Sequence, residues 1–120
     1  MSRRVARALA AAALGLALAA APAHAASFDC GKAGTPDERA VCADPALSAL
    51  DSEMGGLWFA YSRLPMLMGA NGVRHDEAQD FLAARTACGA DKACLGALYR
   101  ARIAALKQQI TAAIAALPPL

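Results

Sequence analysis

The chain has 120 residues, 12 basic and 10 acidic side chains, four cysteines and two histidines. That length holds one small domain and excludes a multidomain enzyme. The formal charge of +2 is not the charge of the folded domain, because three of the arginines stand in the first seven residues.

Residues 1–25 have the grammar of a secretory signal peptide. Arg3, Arg4 and Arg7 make a basic start, Ala8 to Ala21 is an unbroken run of Ala, Leu and Gly, and Pro22 breaks it. Ala23-His24-Ala25 then supplies the small-x-small residues of a cleavage site. The apolar run of 14 residues is shorter than the ~20 needed to span a bilayer. The Arg3-Arg4 pair resembles a twin-arginine signal but lacks the strongly apolar residue expected soon after it, which favours ordinary secretion. Cys30 follows Ser27-Phe28-Asp29 rather than a lipid-attachment box, so the expectation is a periplasmic or secreted protein, not a lipoprotein. Cleavage after Ala25 leaves residues 26–120 as a single domain with nine basic and ten acidic groups, net −1. No basic excess then remains for a nucleic-acid partner, and no membrane span is expected after cleavage.

Thr35-Pro36-Asp37-Glu38 predicts a helix start, with Thr35 as cap, Pro36 at the first helical position and Glu38 closing a capping box. The helix is short, because Asp44-Pro45 opens another. Leu47, Leu50, Met54, Leu57, Trp58, Tyr61 and Leu64 recur at three and four, as one buried helical face requires, and Pro65 ends the run. Gly55-Gly56 interrupts this pattern at a cost of about 1 kcal/mol per glycine. Either the helix bends there or another backbone comes close.

Residues 65–73 are expected as a loop with an apolar first half, and the next helix from about Arg74 to Cys88, stopped by Gly89. Asp91 caps a last helix whose stripe is Leu95, Leu98, Tyr99, Ile103, Leu106, Ile110, Ile114 and Leu117. No strand alternation is present. The predicted fold is all-α, a small disulfide-stapled domain of one short and three longer helices.

Four cysteines allow three pairings, and an exported domain of this size uses them as disulfides. The favoured pairing is Cys30–Cys42 and Cys88–Cys94, one bridge folding the N-terminal segment onto the short helix and the other locking the turn between the last two helices. There is no Cys-x-x-Cys redox motif, and gaps of 11 and 5 residues do not match closely spaced zinc-ligand pairs.

No catalytic, metal or cofactor-binding residue is expected. After cleavage His75 is the one histidine left, at a helix start beside Asp76 and Glu77 and without a nucleophile motif. Asp76, Glu77 and Asp80 have no calcium-loop spacing and suit a solvated helix face. Arg85 and Arg102 each lie on an otherwise apolar stretch, with Asp51 and Glu53 as candidate partners. A structural ion pair of Asp51 with Arg102 is expected, since Asp51 follows Leu50 and Arg102 precedes Ile103 on the core stripes. A ligand-binding arginine is the alternative.

The run Phe28-Asp29-Cys30, Thr35, Glu38, Val41-Cys42, Asp44-Pro45, Leu47, Leu50-Asp51 resembles the opening of the LprI-like domain family. Phe81-Leu82, Arg85, Cys88, Cys94-Leu95, Tyr99, Arg102-Ile103 and Leu106 are similar to its second half, so the resemblance runs over residues 28–106. The chain departs from the family at Trp58, commonly Tyr; at Phe81, commonly Trp; at Ala78-Gln79, where a Gln-Arg pair is frequent; and at Gly55-Gly56. The resemblance implies an envelope or secreted helical binding domain, with lysozyme inhibition known for the name-giving member. The expected partner is then a lysozyme or other muramidase, its cleft sterically blocked. Candidate contacts are Met66, Leu67 and Met68, either an exposed apolar plug or packed on the helices beneath, with the acidic Asp76, Glu77 and Asp80. The alternative is an envelope adaptor or self-associating module, using the apolar stripe that continues to Leu117-Pro118-Pro119-Leu120.

Overall fold

The computed structural model describes residues 26–119, so the expected leader lies outside the described residues. A one-turn 3-10 helix, Cys30–Lys32, precedes four α-helices: α1 Pro36–Ala43, α2 Pro45–Ser62, α3 Met68–Cys88 and α4 Lys92–Ala115. The fold is all-α, and the disulfides are Cys30–Cys42 and Cys88–Cys94. Closing loops of 12 and 6 residues restrains the unfolded chain by about 2–3 kcal/mol each. Such bridges form and persist in oxidising compartments. No helix among the described residues is long and apolar enough to cross a membrane.

The core follows the stripes of α2 and α4. Leu47, Met54 and Tyr61 from α2 meet Leu95, Tyr99, Ile103 and Leu106 from α4, with Val41 of α1 and Phe81 of α3 closing the sides. Phe81 stands edge-on to Tyr99 with ring centroids 5.3 Å apart, the arrangement that aromatic quadrupoles favour. Contacts advance in the same order along α2 and α4, from Asp51 with Tyr99 to Trp58 beneath Arg102.

Local chemistry sets most boundaries. Asp44 Oδ1 accepts from the amides of Ala46 and Leu47 at 2.9 and 3.1 Å, and Asp91 Oδ1 accepts from Cys94 at 3.0 Å, so both aspartates cap as expected. Gly89 ends α3 at φ +57°, a conformation that side chains disfavour. The start of α1 differs. Glu38 Oε2 accepts from the amide of Gly34, one residue before the cap position, and Thr35 makes no cap bond.

α3 begins at Met68, not near Arg74. Met-Gly-Ala-Asn-Gly is a poor helix former, and no side chain caps this end. Tertiary anchoring offsets that deficit. Arg74 reaches back to the last turn of α2, donating from Nη1 to the carbonyls of Tyr61 and Leu64 at 2.6 and 3.0 Å, while Nη2 donates to Asn71. Its guanidinium lies over the Tyr61 ring. One buried arginine thus closes the carbonyl end of α2 and fixes the first turns of α3.

Candidate functional site

Two regions stand apart from ordinary core and surface: a buried charge network around Arg85, and an exposed apolar end next to acidic residues of α3.

The network draws one group from each helix. Arg85 of α3 donates from Nε to Asp37 Oδ2 of α1 at 2.8 Å, and its Nη1 stands 4.0 Å from Asp51 Oδ1 of α2. Tyr99 of α4 donates its phenol proton to Asp51 Oδ1 at 2.7 Å. From the N-terminal segment, the amide of Ser27 donates to Asp51 Oδ2 at 2.5 Å. Asp37 and Asp51 are both fully buried. Burial works against the Asp37 carboxylate, but the Thr35 hydroxyl and the Arg85 guanidinium outweigh it and hold its pKa below the ordinary value. Burial, reinforced by the Asp51 carboxylate, pushes the Tyr99 phenol well above its ordinary range, with Arg85 opposing.

The expected Asp51–Arg102 pair does not form. Arg102 instead sits over Trp58 and 3.7 Å from Glu77 Oε2 of α3, while Asp51 is taken by Tyr99, Ser27 and Arg85. The two residues lie on core-facing stripes, as the sequence indicates, but adjacent residues on a helix point about 100° apart. The groups beside Leu50 and Ile103 therefore need not meet. Asp37, which the sequence suggests only as part of a helix start, is the direct partner of Arg85. The available signal was its spacing: Asp37 and Val41 are four apart and share one buried face.

A cavity of about 470 Å³ opens beside the network, lined in part by Phe28, Met54, Trp58, Leu82, Glu38 and Arg85. The second expected partner of Arg85, Glu53, points elsewhere and pairs with Lys107 at 2.8 Å near the surface. Among the described residues no cluster of His, Cys, Asp or Glu is arranged to hold a metal ion.

The other region lies where α2 turns into α3. Met66 packs against the core, but Leu67 and Met68 are 86 % and 92 % exposed. The expected Met66–Met68 unit is therefore split, one residue buried and two presented to solvent. Beside them Pro65, Met66 and Ala70 face Ala113, Ala116 and Leu117 of α4 across a groove of about 570 Å³. Along α3 the exposed Val73, Asp76 and Asp80 follow at three and four, one stripe running from the apolar end. Glu77 does not belong to it. Its Oε2 accepts from Gln109 Nε2 at 2.7 Å and faces Arg102, so it ties α3 to α4. His75 stands edge-on to Trp58, ring centroids 6.0 Å apart.

No family model matches this chain, and neither a curated protein nor a solved structure matches it.

Proposed function

We propose that the chain is exported, processed after Ala25, and acts by binding rather than catalysis, with the α2–α3 turn as its contact surface. The observation that carries this reading is the presentation of Leu67 and Met68 at the head of a helix anchored by Arg74. Contiguous exposed apolar surface marks contact sites where scattered side chains do not; Leu67 and Met68 are neighbours beside the apolar 65–70/113–117 groove, and methionine adapts to irregular partners. Asp76 and Asp80 add negative charge on the same helix, which speeds encounter with a cationic partner. Together with the resemblance to the LprI-like family, this favours a lysozyme or related muramidase, blocked at its cleft.

The test is titration of oxidised 26–120 against several purified lysozymes, following peptidoglycan hydrolysis. Stoichiometric inhibition, lost on disulfide reduction and weakened by Leu67→Ser with Met68→Ser, supports the reading. Absence of inhibition by the folded protein overturns it.

A second reading is favoured by the groove beside the plug. Leu67 and the 65–70/113–117 groove adjoin at one end of the molecule, a geometry suited to self-association. An adaptor module of this kind shows a concentration-dependent mass by light scattering that Leu67→Ser abolishes.

A further inference from the structure

We propose that the α-ammonium created at Ala26 by cleavage after Ala25 is a structural cation of this fold, held beside the buried Asp51 carboxylate. The inference rests on the processing reading above and adds to it a role for the new terminus.

Three observations converge. The amide of Ser27 donates to Asp51 Oδ2 at 2.5 Å, and Ala26 packs against the core. Covalent geometry then keeps the nitrogen of residue 26 within about 6 Å of that carboxylate. The approach is built into α2, because a Cβ on Gly55 would stand 2.6 Å from Ser27 Cβ. Residue 55 must lack a side chain for the segment to reach Asp51.

The third observation is a charge imbalance. The groups around the network and its cavity are Asp29 and Lys32 from the N-terminal segment, Asp37 and Glu38 from α1, Asp51 from α2, Arg85 from α3 and the neutral phenol of Tyr99 from α4. Of these, Asp37 and Asp51 are the fully buried carboxylates and Arg85 is the buried cation, so the interior of the network holds two acids against one base. A buried carboxylate in excess calls for a cation. In the uncut chain residue 26 contributes a neutral amide; after cleavage it contributes a charge. Leader removal thereby completes the network, and the fold gains stability on maturation.

The test uses synthetic 26–120 with a free, an acetylated or a dimethylated α-amine. An opposite charge at this range raises an amine pKa, so ¹⁵N NMR of Ala26 reads a value above the ordinary 7.7–8.0 or so. The folded-state pKa being raised, the stabilisation is full below the ordinary value and disappears as pH rises through the folded one. At pH 6 the acetylated chain melts roughly 4–8 °C below the free amine. The dimethylated chain, bulkier but still cationic, melts with the free amine. Equal melting of the free and acetylated chains, an amine titrating at its ordinary value, or a dimethylated chain melting with the acetylated one overturns the proposal. Intact mass of the exported protein tests the cleavage site separately: a first residue other than Ala26 removes the processing reading whatever the synthetic chains show.

Discussion

Tyr99 and Asp51, 48 residues apart, share a 2.7 Å hydrogen bond in the interior, and around that contact the N-terminal segment, α2, α3 and α4 meet. Replacing the phenol with Tyr99→Phe keeps the ring against Phe81 and removes one donor from a buried carboxylate. The expected loss is about 1–3 kcal/mol, measured as a lower urea midpoint with an unchanged slope.

The same phenol gives the fold an alkaline limit. Its pKa is raised by burial and Asp51, so the stabilisation is intact below the ordinary tyrosine value near 10 and falls as pH climbs above it. In a Tyr61→Phe background, phenolate absorbance from Tyr99 is expected to appear together with loss of the helical circular dichroism signal, not before it.

On the acid side the sign reverses. Asp37 and Asp44 both titrate below their ordinary value of 3.8, Asp37 through Thr35 and Arg85 against the opposing effect of burial, Asp44 through the amide of Leu47 and then Lys92. Their contribution is complete above pH 3.8 and is lost as pH falls through the lowered values. Melting temperature against pH should drop below about pH 4, with a shallower drop in Asp37→Asn.

Arg85→Met leaves Asp37 without its cation and takes the guanidinium away from Asp51. Breaking a buried pair in this way costs about 3–5 kcal/mol, a large share of the roughly 5–14 kcal/mol available to a domain of this size. Chemical denaturation should show that loss, and adding Asp37→Asn should restore part of it.

Neighbouring glycines should respond in opposite directions. A Cβ at Gly56 meets nothing within 4 Å, so Gly56→Ala gains helix propensity, about 1 kcal/mol. A Cβ at Gly55 meets Ser27 Cβ at 2.6 Å, so Gly55→Ala displaces the N-terminal segment from Asp51. Thermal melts of the two variants, one above and one below the parent, check the pair.

The sequence by itself determined the helical class, the α2 and α4 stripes, the Asp44 and Asp91 caps, the Gly89 stop and the favoured cysteine pairing. Each follows from rules that act within a few residues: apolar periodicity, side chains that reach nearby amides, and short loop closure. What only the tertiary structure decided depends on which faces meet. Asp51 took Tyr99 and Ser27 rather than Arg102, and Asp37 took Arg85, because a buried charge pairs with whatever donor packing brings within about 3 Å. Residues 68–73 became helical through Arg74, a contact with the preceding helix that outweighs weak local propensity. Gly55 proved to be a place of close approach, since the segment that needs the space lies 28 residues earlier in the chain. The exposure of Leu67 and Met68 likewise had no local signature, because apolar side chains carry the same sequence pattern whether a turn buries them or presents them to a partner.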